Sequence, residues 1–303
     1  VTINFAYRTF RWDSESNGKA HVHCVIIAFA NFHRNKKFIF DVDKKILAQN
    51  INGYLQDAPQ FFLHKRIFPL QNFIPKMIFG NMANDGGNLI LSEDEKNTLL
   101  KNFPTAKKFV KTFLGAEEFL HNKKRYCLWL VDASPSDIKK IPPIYERIKK
   151  IKILREKSSR DATKKLADAP HLFGEIRQPT TNFILIPRHS SENRHYIPIG
   201  FLNENIIASD ANLIVPNADL FLFGILQSSV HMIWTKTFCG RLKSDFRYSA
   251  ALIYNNFPFP EVDKIQREKI SATAEKILQV RKKYSDSTLA QLYDPTLMPK
   301  DLR

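Results

Sequence analysis

Gly240-Arg241-Leu242-Lys243-Ser244-Asp245-Phe246-Arg247-Tyr248-Ser249 sets three cations, one carboxylate and two aromatics within ten residues. Arg241, Lys243 and Asp245 share one parity, so an extended backbone puts their side chains on one face. A lysine two residues from an aspartate suits one G·C pair in the major groove. The ammonium donates to guanine O6/N7 and the carboxylate accepts from cytosine N4. Arg241 and Arg247 flank that pair and are placed to hold phosphates. The competing reading is a solvated surface strand whose Arg and Asp pair with each other, an arrangement worth little energy.

The charge of the whole chain favours the first reading. Lys+Arg number 46 against 30 Asp+Glu, a net charge of +16 over 303 residues. An excess of that size points to a polyanionic partner, most often nucleic acid. It is also concentrated. Residues 139–165 carry eleven Lys/Arg against three acids, a net +8 in 27 residues and half the chain's total. Ile144, Ile148, Ile151 and Leu154 recur there at helical spacing, so the segment reads as a helix with one apolar stripe and a cationic remainder. Arg147, Lys150, Arg155, Ser158, Ser159 and Arg160 are its phosphate-binding candidates. A second polar cluster, Arg188-His189-Ser190-Ser191-Glu192-Asn193-Arg194-His195, lies between Phe183-Ile184-Leu185-Ile186 and Tyr196-Ile197-Pro198-Ile199, both read as strands. A polar loop between buried strands suits base reading by Arg188 and backbone clamping by Ser190, Ser191 and Arg194.

The remaining pattern is α+β. Residues 1–40 read as strands, with His21 to Phe29 one long strand and Ser14 to Lys19 a turn before it. Asn84-Asp85-Gly86-Gly87-Asn88 reads as a tight turn using positive φ. Ser92 and Glu95 form a capping box for one helix, and Pro104 opens a second that is expected to run to about Glu118. Arg125–Asp132 reads as a buried strand, 217–236 as an apolar helix, and 262–284 as an amphipathic helix anchored by Ile265, Ile270, Ile277 and Leu278. Short strands broken by helices do not repeat as βαβ, which argues against a doubly wound sheet. Cys24, Cys127 and Cys239 are far apart, with no Cys-x-x-Cys; they read as reduced, which suits a cytoplasm. No run of about 18 apolar residues occurs.

The opening stretch, with Tyr254-Asn255-Asn256-Phe257-Pro258-Phe259-Pro260 after it, resembles the C-terminal signature of the MmeI-like (type IIL) restriction–modification enzymes. Ile51-Asn52-Gly53-Tyr54-Leu55, Phe79-Gly80-Asn81-Met82, Asp85-Gly86-Gly87, Arg125 to Leu130, Ser190 to Arg194 and Tyr196 to Phe201 follow in that family's order. The resemblance covers nearly the whole chain. It implies single polypeptides that combine a nuclease, an adenine-N6 DNA methyltransferase and a target recognition domain. It further implies a division into the end of a methyltransferase core (1–40), a target recognition domain (41–260) and a C-terminal helical segment (261–303). Double-stranded DNA and the upstream methyltransferase and nuclease domains of the same chain are then the expected partners. In family terms the pair flanking Ser244, here Lys243 and Asp245, specifies one outer base, with Arg247 beside it. Asp210 and Ala211 occupy the region of another specificity position. Tyr7 stands where the family usually has His.

The sequence itself carries no catalytic centre. It lacks the Asn/Asp-Pro-Pro-Tyr/Phe motif and Gly-rich loop of an adenine methyltransferase, and the clustered acids and Lys of a Mg²⁺ nuclease. S-adenosylmethionine and Mg²⁺ are therefore expected only in the full-length enzyme. The absence of an initiator Met and an opening in mid-strand suggest an excised piece. Two alternatives remain. One is a hydrolase or nuclease built on His189, Ser190 and Glu192 or on the His21/His23 pair, although no nucleophile elbow and no third metal ligand accompany them. The other is a non-specific nucleic-acid-binding module.

Overall fold

The computed structural model describes residues 1–13 and 21–303, so the turn expected between Ser14 and Lys19 lies outside the described residues. In chain order the elements are β1 (Thr2–Asp13), β2 (His21–Ala30), β3 (Lys37–Asp41), β4 (Lys44–Ala48), β5 (Ile78–Phe79), β6 (Ile90–Leu91), α1 (Glu93–Asn102), β7 (Val110–Leu114), α2 (Ala116–His121) and β8 (Tyr126–Leu128). Next come α3 (Pro135–Lys139), α4 (Pro142–Glu156), α5 (Asp161–Lys165), β9 (Phe183–Pro187), β10 (His189–Ser190), β11 (Gly200–Leu202), β12 (Ile206–Ala208) and β13 (Asn212–Pro216). The chain closes with α6 (Leu220–Leu226), α7 (Ser229–Phe238), β14 (Gly240–Leu242), β15 (Asp245–Arg247), α8 (Lys264–Lys283) and α9 (Leu289–Leu292). The fold is α+β, as the pattern implied.

The strands form four small sheets, ordered β2-β1-β3-β4, β12-β7-β8-β6, β11-β9-β13-β5 and β10-β15-β14. The third is the centre of the molecule. Along β9, Ile184 and Ile186 join one hydrophobic cluster with α6, α7 and the 246–259 segment, while Phe183 and Leu185 join another with Phe119 and Leu120. Both faces are covered, which is why the strand reads as unbroken apolar sequence rather than alternating. A separate core lies between the β6–β8 strands and α1, α3 and α4.

Several helices depart from expectation. The segment after Pro104 is a short 3-10 helix (104–109), then strand β7, then α2. Val110-Lys111-Thr112-Phe113-Leu114 pairs with β8 on one side and β12 on the other, so tertiary pairing overrides local helix propensity. Segment 217–236 is two helices, because Ser228 caps a new one by accepting from the His231 amide at 3.1 Å. Tyr196 to Ile199 pairs with no strand, although Ile197 and Ile199 are buried. In α8 Ile265 is exposed. The helix packs through Ile270 and Ala274 against Gly224 of α6, whose missing Cβ admits the close approach. The Asn84–Asn88 turn does use positive φ, at Asn84, Gly86 and Gly87.

His231 is buried, its Nε2 2.8 Å from the Tyr248 hydroxyl and its ring edge-on to Phe257. Burial pushes its pKa down to about 3. The unfolded chain therefore binds this proton more readily than the folded one. The associated stability is complete above the unfolded value of about 6.5 and is lost as pH falls towards the folded value. Thermal melts between pH 7 and 5 should show a falling Tm, and His231→Gln should flatten that slope. An unchanged slope in the variant would refute this assignment.

Candidate nucleic-acid interface

The hairpin that carries the opening stretch begins where α7 ends at Cys239. Leu242 pairs with Asp245, Arg241 with Phe246 and Gly240 with Arg247, leaving Lys243-Ser244 as a two-residue turn. Lys243 has φ +57°, uncommon for a residue with a Cβ. Two-residue hairpins demand positive φ in the turn, and Lys243 adopts it here. The backbone at Lys243 is thus not extended, and the shared face expected for Arg241, Lys243 and Asp245 does not form. Cross-strand register decides instead. Leu242, Asp245, Arg247 and, across β10, His189 share the solvent face, while Arg241, Phe246 and Ser190 share the other.

That second face is structural. Phe246 is fully buried, with the Arg241 guanidinium 4.0 Å from its ring centroid. Arg241 also donates to the Ser244 and Lys236 carbonyls at 2.9 and 3.3 Å, so it braces the turn. Ser190 is buried and its hydroxyl accepts from Arg194 at 3.3 Å, which corrects its assignment to phosphate binding. It is equally unfit as a nucleophile. His189 and Ser190 are neighbours on a strand and point to opposite faces, which removes the hydrolase built on them.

Three segments distant in sequence are joined here by backbone hydrogen bonds. The Arg188 amide donates to the Ala211 carbonyl at 3.2 Å, and the Tyr248 amide donates to the Arg188 carbonyl at 2.7 Å. Arg188 Nη1 donates to the Asp210 carbonyl at 3.0 Å, and its guanidinium lies 4.9 Å from the Phe79 ring centroid. The segments bearing Arg188, Asp210, Ala211, Asp245 and Arg247 therefore adjoin, with Lys243 at the tip of the hairpin; Ala211, Lys243, Asp245 and Arg247 are exposed, and Arg188 and Asp210 are half-buried. Arg194 is half-buried, and burial lowers its pKa against the opposing pull of Asp245 and Asp294. Ser191 is half-buried beside it, accepting from the Asn193 amide at 3.3 Å. Burial, then Arg188 and Arg247, lower the His189 pKa, against the opposing pull of Asp245.

Support for this surface comes from residues whose role the sequence did not disclose. The Asn81 amide donates to the Ala208 carbonyl at 2.7 Å, and the Asn81 carbonyl accepts from the Asp210 amide at 3.0 Å. Its side chain is fully buried, receiving the Arg177 amide at 2.7 Å and donating to Gln178 at 2.8 Å. Phe79-Gly80-Asn81-Met82 is thus a brace for the 208–211 loop. The Tyr254-Asn255-Asn256 signature is likewise a staple. Tyr254 donates to the Pro75 carbonyl, Asn255 to that of Arg66 and Asn256 to that of His64, at 2.8, 2.8 and 3.0 Å. It pins the irregular 64–75 segment.

The cationic segment is helical as expected, but its buried stripe is Ile144, Ile148, Ile151 and Arg155; Leu154 is exposed. Arg155 is one residue nearer the line of the three isoleucines, and it is fully buried. Its five N–H groups all donate to backbone carbonyls, so none is left for a phosphate, and this candidate is withdrawn. Arg147 is tied to Glu95 at 2.5 Å and to the Asn88 carbonyl at 3.1 Å, joining α4 to α1 and the loop before β6. Lys150, Ser159 and Arg160 remain exposed, whereas Ser158 is half-buried and accepts from the Arg160 amide at 3.2 Å.

Comparison with known proteins identifies the family. Residues 57–261 match the model of the MmeI target recognition domain, 1–41 that of the MmeI DNA-methyltransferase domain and 262–303 that of the MmeI C-terminal domain. The chain is 39% identical to DNA methyltransferase A of Bacillus subtilis (strain 168) over its whole length, spanning 34% of that relative. It superposes on the structure of the type IIL restriction-modification enzyme MmeI in complex with DNA with TM-score 0.94 and 42% identity, covering 99% of this chain and 41% of that one. The chain spans little more than a third of the curated relative. It belongs to the MmeI family, and residues 57–261 form its target recognition domain.

Proposed function

We propose that this chain is the sequence-reading part of a restriction–modification enzyme, selecting a defined site in double-stranded DNA for adenine-N6 methylation and cleavage by domains of the same polypeptide. The observation that supports the reading is that hydrogen bonds bring together the segments bearing Arg188, Asp210, Ala211, Asp245 and Arg247, next to the hairpin turn at Lys243. A ridge of two to three strands fits a major groove, and these groups match base edges: Lys and Arg for guanine O6/N7, Asp for cytosine N4. Phosphates would be held by the exposed cations Lys150 and Arg160, by the half-buried Arg194, and by Ser159 and Ser191. Val25, Ile26, Ile27 and Phe29 of β2 are exposed, and the rest of a methyltransferase core would cover them. The nuclease, S-adenosylmethionine, Mg²⁺ and a cytoplasmic location are proposed for the full-length enzyme. No helix among the described residues is long and apolar enough to cross a membrane.

Binding of the full-length enzyme to duplexes varied one base pair at a time tests this. Arg247→Ala should relax preference at one base pair by about 1–3 kcal/mol and leave the others intact. Lys150→Ala should weaken all duplexes alike and reduce the salt slope of log K by about 0.9. Uniform weakening by Arg247→Ala would count against base reading.

A further inference from the structure

Asp245 already has a partner without DNA. Its Oδ1 accepts from the Glu192 amide at 3.2 Å, across 53 residues of sequence. Glu192 is the second residue of a turn closed by the Arg194 amide on the Ser191 carbonyl at 3.3 Å. Arg194 in turn donates to Ser190 at 3.3 Å. One carboxylate oxygen thus holds the loop that presents Ser191 and Arg194. The other, Oδ2, has no protein partner among the described residues. Fixing one oxygen also aims the second, which lowers the rotamer entropy lost when it meets a base.

We propose that Asp245 is a positioning residue as well as a reader: its carboxylate clamps the 190–195 loop to the β14–β15 hairpin, so one side chain links base preference to phosphate grip. This rests on the recognition function above. It means that residue 245 cannot be exchanged for a new specificity without also releasing or retaining a loop that grips the backbone.

Three substitutions in the full-length protein separate the two roles. Asp245→Asn keeps an oxygen for the Glu192 amide but replaces the acceptor aimed at a base by a donor. Glu192→Pro removes the amide and spares the carboxylate; proline suits the second position of a β-turn. Asp245→Ala removes both. Amide exchange at residues 193–195, measured without DNA, should stay as in the parent for Asp245→Asn and quicken at least tenfold for the other two. With DNA, Asp245→Asn should alter preference at one base pair with the salt slope kept. Glu192→Pro should keep that preference and lower the slope by about 1, the loss of one phosphate contact. Unchanged exchange in both Asp245→Ala and Glu192→Pro overturns the clamp, even where base preference shifts and the recognition function stands. Faster exchange with no effect on any duplex supports the clamp and overturns the recognition function instead.

Discussion

Arg155→Ala is expected to destabilise the protein by about 3–5 kcal/mol, because five partly buried carbonyls lose their donors together. The guanidinium reaches Asn84 from Nε at 3.0 Å, Leu166 and Ala169 from Nη1 at 3.0 and 3.3 Å, and Ala83 and Leu172 from Nη2 at 3.1 and 2.9 Å. It thereby joins the 83–84 turn, the end of α4 and the 166–172 segment. No carboxylate is bonded to it. Burial pulls its pKa down, and Asp85 at longer range acts in the opposite sense. Arg155→Lys keeps the charge but offers three donors from one point, which cannot serve carbonyls on several sides. It should recover less than half of the loss. Guanidinium chloride denaturation measures both variants; a loss under about 1 kcal/mol for Arg155→Ala would show that the carbonyls find other partners.

Gly80→Ala is the second large effect, and it should act on recognition as well as on stability. A Cβ at Gly80 would stand 2.2 Å from the Ser209 carbonyl oxygen and 2.7 Å from that of Ala208, both backbone atoms. Neither side can yield alone. The Gly80 amide donates to the Asn212 carbonyl at 3.1 Å, and Asn81 and Ser209 form a bridge on the opposite side of the contact. The added methyl must push the 208–212 segment off its brace, at a cost of about 2–4 kcal/mol. Because Asp210 and Ala211, proposed as base readers, ride on that segment, discrimination at the base pairs they are proposed to read should fall more than overall affinity at low salt. Equal melting temperatures for the variant and the parent would refute the clash. A melting shift without loss of discrimination would detach the 208–212 segment from recognition.

Much of this architecture was legible because it depends on local chemistry. The Ser92 capping box, the positive-φ Asn84–Asn88 turn, the long β1–β2 pair and the unbroken apolar run of β9 are all recorded within a few residues of themselves. The misread segments are those whose state is set by a distant neighbour. Residues 110–114 became a strand because two other strands accept them. Residue 155 became core because a turn 71 positions earlier supplies carbonyls for its guanidinium. Arginine in a cationic run reads as solvent-facing, and nothing local distinguishes this one from Lys150.

The sequence alone determined the class of fold, the basic character of the chain, the family and the stretches proposed to carry recognition, since these rest on composition, periodicity and short motifs. The tertiary structure decided which side chains in those stretches face outward. In a strand, a displacement of one residue exchanges the two faces, and the Lys243-Ser244 turn made that choice here. It set Asp245 and Arg247 beside His189 and put Arg241 on the opposite face, over the buried Phe246 ring. It also decided that the loops at 188–195, 208–211 and 240–247 form one surface, because only long-range hydrogen bonds hold segments so far apart in register.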